Sequence, residues 1–435
     1  MEKTTGHNGG MTRREFVRMT GKASLASAAL GFGLSSRLAG AEAAGGDTIK
    51  VGLIGCGGRG TGAVKDCVAA AKGVELVAMG DLIEAKVKGC RENLKKELPA
   101  EAMKVTDETM FWGFDNYKKV IASGVNYVIL TTPPGFRPEH FRAAIEGGVN
   151  VFMEKPVAVD PVGYRSVIET GKLAAQKKLA AVAGTQKRHQ AHYLEVVKRI
   201  HDGAIGDIRA AQAWYNTGGL WHIDKTPEMS DMEWQCRNWL YFTWLSGDHI
   251  VEQHVHNLDV MYWILQALPK NVNGMGGRQT RVEPHYGNIY DHFAVEFDYE
   301  SGVKMASYCR QNPNCANQVC DRIIGTKGEV YLDGALGVIS GENPYKYEGE
   351  NWNPQVREHT DMIESIRKGQ PLNDAQRIAE SSLMAIAGRM SAYTGRILKW
   401  DWVANTSKLD LRPAKFEFGP LPVAPVAIPG KTELV

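Results

Sequence analysis

The chain has almost no net charge and no framework of paired cysteines. Its 51 lysines and arginines nearly balance 49 aspartates and glutamates, so the composition does not indicate a nucleic acid or an anionic membrane surface as a partner. The seven cysteines are an odd number and contain no Cys-x-x-Cys pair, which argues against a disulfide scaffold and a zinc-ribbon site. Cys315 and Cys320 are the closest pair, and a bridge between them stays open at this level.

The N-terminal region lacks a hydrophobic run long enough to cross a bilayer. Its small and apolar run covers residues 23–34, which is shorter than the roughly 20 residues of a membrane helix. The run follows Arg13 and Arg14 and precedes small residues at 39–43 that suit a cleavage site, a pattern typical of a twin-arginine signal peptide. An amphipathic first helix fits poorly because the run has no polar face. We therefore expect residues 1–43 to direct the protein to the twin-arginine export machinery. The protein is then expected to be periplasmic or secreted, without a stable membrane span.

The remaining length of about 390 residues favours two domains. We predict a first domain over residues 48–184 and a second over 185–425. The first alternates strands with helices, which predicts an α/β fold with a doubly wound parallel sheet. The expected strands cover 49–54, 74–79, 127–130, 149–153 and 179–183, and the expected helices cover 61–71, 137–146 and 164–176.

A glycine-rich turn follows the first predicted strand. Gly55, Gly57 and Gly60 occupy the G-x-G-x-x-G positions, with Gly58 and Arg59 between them. These glycines allow a tight turn, close approach of the backbone to a pyrophosphate and close helix–sheet packing, while the helix N-terminus offers free N–H groups. The pattern predicts dinucleotide binding. Arg59 either closes over the adenine or pyrophosphate or is a solvated cation of the turn.

Asp81 ends the second predicted strand, where a carboxylate accepts hydrogen bonds from the ribose hydroxyls. Leu82 follows it, and no arginine stands beside it to hold a 2′-phosphate, so NAD is favoured over NADP. An exported enzyme meets no free pool of this cytosolic cofactor. We therefore expect NAD to be bound tightly before the folded protein leaves the cell.

Lys155 lies within Glu154-Lys155-Pro156, at the carboxyl end of another predicted strand. Ligands of such sheets bind outside these strand ends, so Lys155 is placed near the nicotinamide ring. Pro156 keeps the backbone of Lys155 extended. A solvated surface lysine is the alternative.

These motifs, together with Thr131-Thr132-Pro133-Pro134 and His140 beyond it, resemble those of the Gfo/Idh/MocA oxidoreductases. The resemblance covers most of the chain after the signal, including closing helices over 359–367 and 379–400. It implies that Thr132, Pro133, His140 and Glu154 join the cofactor site. It also implies an α+β second domain on a large, open, mostly antiparallel sheet, whose exposed face serves substrate binding or self-association, so a homo-oligomer is expected.

The histidine-rich segment 247–259 matches the catalytic segment of that family. The family places an Asp, a His and an Asp where this chain has Glu252, His256 and Asp259. The chain departs from the pattern at Glu252 and at His254, where the family has glycine, and both departures leave the substrate and reaction less defined.

The roles implied by this match suit the oxidation of a carbinol. His256 would take the hydroxyl proton because an imidazole is poised for proton transfer near neutrality. Lys155 would donate a hydrogen bond to the reacting oxygen, and Glu252 would orient it or balance its charge. Asp259 would hold structure or steer His256.

Two other interpretations of the histidines stay open. His249, Glu252, His254 and His256 could ligate zinc, since alternate positions of a strand share one face. They could also be buried structural histidines. The family chemistry requires no metal, and we expect none.

The candidate substrate contacts lie before the histidine-rich segment and within it. Aromatic faces stack on sugar rings and polar side chains bond hydroxyls, although aromatic residues also serve cores and interfaces. The candidates are Arg188, Trp221, His222, Arg237, His254 and Asp259.

The expected protein is an exported oxidoreductase that uses tightly bound NAD on a sugar or glycoside. The alternative is an NAD-dependent glycoside hydrolase that oxidises C3 transiently, eliminates the aglycone and restores the cofactor. A cofactor-bound sugar-binding protein is a third, non-enzymatic option.

Overall fold

The structure is a computed structural model that describes residues 48–435. The predicted export signal over 1–43 lies outside the described residues. Within the described part, no helix has the length and apolar character needed to traverse a bilayer. All seven cysteines are free thiols, so Cys315 and Cys320 do not form a bridge.

Six parallel strands form the first sheet, in the order β3-β2-β1-β4-β5-β6. This confirms the predicted doubly wound sheet. Its strands are apolar and buried because helices cover both faces. The strands are β1 (Ile49–Ile54), β2 (Val74–Asp81), β3 (Met110–Trp112), β4 (Tyr127–Leu130), β5 (Asn150–Met153) and β6 (Ala181–Ala183).

The helices of the first sheet begin close to the glycine turn and the strand ends. The first starts inside the glycine turn, three residues earlier than predicted, with Gly57 as its N-cap. The sequence pattern does not indicate the elements of region 82–126, where the structure has β3 and two helices. The helices are α1 (Gly58–Ala70), α2 (Glu84–Glu97), α3 (Asn116–Ile121), α4 (Arg137–Glu146) and α5 (Pro161–Lys177).

The second sheet has nine strands, in the order β14-β13-β12-β11-β7-β10-β9-β8-β15. Only the β7–β10 pair is parallel, so the expected large, mostly antiparallel sheet is confirmed. Its strands are β7 (Ile208–Thr217), β8 (Asn271–Gly277), β9 (His292–Asp298), β10 (Lys304–Gln311), β11 (Gln318–Gly325), β12 (Gly328–Asp333), β13 (Gly337–Gly341), β14 (Tyr345–Lys346) and β15 (Leu398–Lys399).

Helices of the later chain connect the two sheets. The longest contributes Ala375, Ile378 and Ala379 to the core of the first sheet and its residues from Leu383 onward to the core of the second. The helices are α6 (Ala191–His201), α7 (Asp231–Arg237), α8 (Thr243–Ser246), α9 (His249–Glu252), α10 (Val255–Leu265), α11 (Pro354–Arg367), α12 (Ala375–Thr394) and α13 (Trp400–Asn405).

The histidine-rich segment is helical rather than extended. Glu252 ends α9, His254 precedes α10, and His256 lies in the first turn of α10. The zinc interpretation placed these three residues on one face of a strand. In a helix, alternate residues point in different directions, so the geometric basis of that interpretation was wrong.

Three histidines are buried in this fold as neutral imidazoles. Burial lowers the pKa of His140, His254 and His359 to about 3. The unfolded chain therefore binds more protons than the folded protein once the pH falls below about 6.5. Each histidine then removes about 1.4 kcal/mol of stability for every further pH unit.

The variant His359→Gln tests this acid sensitivity. Glutamine can keep the contact with the Tyr127 hydroxyl, which lies 2.8 Å from Nδ1 of His359, but it does not titrate. We expect the free energy of unfolding, measured by urea denaturation between pH 7 and pH 5, to fall less steeply than in the wild type. Tyr127→Phe is the control, because it removes the same contact without removing the titrating group. Equal slopes in His359→Gln and wild type would contradict the prediction.

Candidate functional site

The glycine turn leaves open space where a dinucleotide backbone would lie. A Cβ on Gly60 would fall 2.0 Å from the carbonyl oxygen of Gly55, and Gly55 itself has a φ of +107°. These two glycines are therefore needed by the turn itself. A Cβ on Gly57 or Gly58 would meet no atom within 4 Å, so their backbone faces an open cradle beside the start of α1. This arrangement fits a pyrophosphate at a helix N-terminus.

Asp81 is fixed beside the turn by two backbone donors. Its Oδ2 accepts the N–H of Cys56 at 2.8 Å, and its Oδ1 accepts the N–H of Ile83 at 3.0 Å. A carboxylate has further lone pairs, so Asp81 can still accept hydrogen bonds from a ribose. It lines a cavity that we call the adenosine cavity, with walls that include Gly55, Gly57, Leu82, Lys86, Phe114, Asn116, Thr132, Pro133, Phe136, His140, Cys236 and Trp239.

Thr132, Pro133 and His140 thus lie together, as the resemblance implied. Nδ1 of His140 is 3.2 Å from the hydroxyl of Thr132. The imidazole ring is nearly parallel to Phe136, with ring centroids 5.9 Å apart. These contacts place His140 in the wall rather than free in the cavity.

Arg59 is partly exposed and is held by two carboxylates. Its Nε lies 2.6 Å from Oε1 of Glu154, and its Nη1 lies 3.2 Å from Asp66. Arg59 and Glu154 therefore border the cradle as an ion pair, which aligns the guanidinium near the pyrophosphate position without leaving an unpaired charge.

Lys155 and Glu252 meet across the junction of the two sheets. Nζ of Lys155 lies 3.0 Å from Oε1 of Glu252 and also donates to the backbone carbonyl of Glu252. Both side chains are nearly nine-tenths buried. Nζ of a lysine carries three donors, so one remains to point at a ligand in the cavity.

His256 lies in the first turn of α10 and shares a cavity with this ion pair. The cavity, of about 300 Å³, is called the reaction cavity here. Burial and the nearby charges of Lys155 and Lys187 lower the pKa of His256 well below its usual value. The imidazole is therefore neutral near pH 7 and can accept a proton. The cavity is also lined by Arg59, Thr131, Thr132, Pro134, Arg137, Glu154, Gly184, Gln186, Trp239, Gln355 and Glu358.

Asp259 is a structural anchor one turn further along α10. It lies 2.7 Å from Nε of Arg188 and 2.9 Å from Nη1 of Arg377, and it accepts a hydrogen bond from Ser381 at 2.8 Å. Burial alone would raise its pKa, but Arg188 and Arg377 hold that pKa well below its usual range. Arg188, proposed from the sequence as a substrate contact, instead holds this carboxylate.

The other histidines of the segment point away from the reaction cavity. Nε2 of His254 lies 2.7 Å from the hydroxyl of Ser307 in the second sheet. Nδ1 of His249 lies 3.0 Å from Asp248. Both rings are buried in different contacts, so the four residues of the zinc interpretation do not converge on one point. His254 does not line the reaction cavity.

Three further candidates for substrate contacts do not line the reaction cavity: Arg237, Trp221 and His222. Arg237 pairs with Glu233 at 2.8 Å, and the side chain of Trp221 is half exposed. His222 stacks on His285 with ring centroids 3.8 Å apart and planes 7° from parallel. With Asp224, these two form the one group of three metal-type ligands among the described residues. This group lies outside the reaction cavity.

Sequence reasoning missed several residues of the two cavities. Trp239 reaches both cavities, and the aromatic density around it was the available signal. Gln355 and Glu358, one turn apart on α11, border the reaction cavity. Burial and then the nearby carboxylate of Glu154 raise the pKa of Glu358 well above its usual value. Nothing in the local sequence around Glu358 indicated this position.

The fold combines a parallel sheet that carries a glycine-rich nucleotide turn with helices of the later chain that bring Glu252 and His256 to the same cavity. This combination defines an NAD-binding oxidoreductase. The family model "Oxidoreductase family, NAD-binding Rossmann fold" matches residues 49–185, and the "GFO/IDH/MocA C-terminal domain" model matches residues 193–331. The chain belongs to the Gfo/Idh/MocA oxidoreductase family.

Relatives with assigned names include enzymes of two kinds. The chain is 22% identical to scyllo-inositol 2-dehydrogenase (NAD(+)) of Bacillus subtilis (strain 168), over 65% of this chain and 73% of that protein. It is 26% identical to 2,7-anhydro-N-acetylneuraminate hydratase of Escherichia coli (strain K12), over 48% and 52%. The scyllo-inositol dehydrogenase of Lactobacillus casei, solved with NAD(H) and scyllo-inositol, shares the fold with a TM-score of 0.61 at 18% identity, over 81% of this chain and 99% of that chain.

Two alanine variants of the glycine turn separate folding from cofactor binding. Gly60→Ala must displace the backbone of Gly55, so we expect a loss of stability of about 1–3 kcal/mol in cofactor-free protein. Gly57→Ala meets only open space and has an ordinary φ of −83°, so its cofactor-free stability should change by less than about 1 kcal/mol.

Gly57→Ala should nevertheless weaken NADH binding at least about tenfold, because the added methyl group occupies the pyrophosphate position. Calorimetric titration of cofactor-free protein with NADH measures this effect, and thermal unfolding supplies the stability. NADH binding to Gly57→Ala with wild-type affinity would show that the dinucleotide does not approach the turn here.

Proposed function

We propose that the protein is an exported oxidoreductase that uses tightly bound NAD to oxidise a carbinol of a sugar or glycoside. The observation that carries this proposal is the placement of Lys155, Glu252 and His256 around one cavity beside the glycine turn. Two of these groups come from the second part of the chain and one from the first sheet. Their convergence at the carboxyl ends of parallel strands is where such sheets bind ligands.

Each of these residues has a chemical task in carbinol oxidation. Bound NAD supplies a nicotinamide ring that accepts a hydride from the substrate carbon. Neutral His256 accepts the proton of the substrate hydroxyl, so the oxygen forms a carbonyl as the hydride leaves. The Lys155 ammonium donates a hydrogen bond to that oxygen and stabilises the negative charge that develops on it. Glu252 holds Lys155 in place.

The walls of the reaction cavity favour a neutral, hydroxyl-rich substrate. Gln186 and Gln355 line the cavity and offer both donors and acceptors. The charged groups Arg59 and Lys155 already have carboxylate partners. Relatives and a structural neighbour named as inositol dehydrogenases act on polyols, which supports this substrate class.

Export and cofactor retention form part of the same proposal. The twin arginines at positions 13 and 14, followed by the apolar run over 23–34, support export of the folded protein. Outside the cytoplasm, NADH that leaves the site is not replaced. The cofactor would therefore be regenerated on the enzyme, by a second substrate or within a redox-neutral cycle. Self-association through the exposed face of the second sheet is the expected assembly.

A redox-neutral reaction is the second candidate. In that cycle, oxidation at C3 acidifies the C2 proton, the aglycone is eliminated, water adds, and hydride return restores NAD. The relative named as a hydratase favours this option, because addition and elimination of water leave the oxidation state unchanged. Lys155 and His256 would serve the oxidation step of both cycles.

Alanine variants test the assigned residues. We expect Lys155→Ala and His256→Ala each to lower kcat at least about a hundredfold, because each removes a group that acts on the reacting oxygen or its proton. Bound NAD, measured by absorbance after release from the purified protein, should stay near the wild-type amount. Lys119→Ala and His201→Ala, both exposed, are the matched controls. Near-normal turnover in either site variant would overturn the assignment.

Product analysis separates the candidate reactions. The purified protein is incubated with panels of polyols, sugars and glycosides, while mass spectrometry follows the products and absorbance follows the bound nicotinamide. A product that has lost a pair of hydrogen atoms, with its glycosidic bond intact, is the expected result. A released aglycone without net redox change identifies the hydrolase instead. No product from any compound, with cofactor still bound, identifies a binding protein.

A further inference from the structure

A segment near the C-terminus spans both sides of the adenosine cavity. Residues 411–421, the closing segment, contain no helix or strand. At one end, the N–H of Leu411 donates to Oδ2 of Asp160 at 2.9 Å. At the other end, the N–H of Leu421 donates to Oδ2 of Asp231 at 3.0 Å. Specific contacts therefore hold the segment at both ends.

The closing segment packs aromatic rings behind one wall of the adenosine cavity. The ring of Phe416 lies 5.4 Å from that of Phe136 and 6.1 Å from that of Phe114. Phe418 lies 5.2 Å from Phe114. Phe114 lies in the loop after β3, Phe136 lies in the turn before α4, and both line the cavity. The closing segment therefore supports this wall from behind.

The opposite wall is bonded to the same segment. Cys236 lies in α7, and Trp239 lies in the turn that follows it; both line the cavity. Helix α7 contacts the closing segment where the N–H of Met232 donates to the carbonyl of Gly419 at 3.2 Å. Nε2 of Gln235 also donates to the carbonyl of Leu421 at 2.6 Å.

We propose that the closing segment is part of the cofactor site and retains bound NAD by holding the two walls of the adenosine cavity together. This inference rests on the proposed function, because it takes NAD as the ligand. The walls come from distant parts of the chain, and Phe416 also contacts Trp244 on the side of α7, with ring centroids 6.4 Å apart. Phe136 and Trp244 also contact each other directly, with ring centroids 5.7 Å apart. Phe416 packs on both rings and so adds contacts that hold the walls together. Phe416 and Phe418 act through Phe114 and Phe136, so they are positioning residues.

Release of NADH from the full-length protein tests this role. The protein is loaded with NADH and mixed with excess NAD, and the loss of energy transfer from tryptophan to the nicotinamide reports release. We expect the double variant Phe416→Ala/Phe418→Ala to release NADH at least about tenfold faster than wild type.

Two further variants make the result decisive. Phe418 is 47% exposed, so Phe418→Ala should fold normally and still release NADH faster than wild type. Val423→Ala, at an exposed position just beyond the closing segment, should release NADH at the wild-type rate.

Equal release rates in wild type and a folded Phe416→Ala/Phe418→Ala protein would overturn the inference. If the double variant does not fold, an unchanged rate in Phe418→Ala overturns it. If the wild-type protein does not bind NADH, the proposed function is wrong, and so is this inference, which depends on it. Equal release rates from proteins that do bind NADH would contradict only this inference.

Discussion

Asp259 is a buried carboxylate, and the geometry of the site depends on how its charge is balanced. A lone buried charge costs several kcal/mol, and removal of one partner from a buried pair costs about 3–5 kcal/mol. Arg188 comes from the turn after β6, Arg377 from α12, and Asp259 from α10, the helix that carries His256. The need to balance this one charge therefore connects the turn after β6, helix α12 and helix α10. Together with the direct contact between Lys155 and Glu252, it fixes His256 relative to Lys155.

Two cations beside the reaction cavity have carboxylate partners. Arg59 pairs with Glu154 and Lys155 with Glu252, whereas Arg137 donates to the backbone carbonyls of Thr132 and Pro156. Since desolvated charges without partners are costly, these contacts let charged groups line a partly buried cavity. Burial, and then the charge of Lys155, lowers the pKa of His256.

The sequence predicted the parts of the site that are local in the chain. The glycine turn, Asp81 and Lys155 follow strand ends, and the side chains at the carboxyl ends of a parallel sheet meet at one edge. Prediction failed where long-range packing decides the outcome. His254 and His256 are two residues apart, yet one faces Ser307 and the other the reaction cavity. A short apolar segment does not reveal whether it forms a strand or a buried helix. Glu358 and Phe416 reach their cavities only through the folding of distant segments, so their neighbours in sequence carried no signal.

The order of these elements along the chain separates capture of the cofactor from its enclosure. The glycine turn and Asp81 belong to the early part of the chain, whereas Phe416 and its anchors come far later. The proposed closing segment is therefore the last part of the cofactor site to be synthesised. Under the proposed function, binding of NAD and its enclosure would be successive steps, and the second would await the end of the chain.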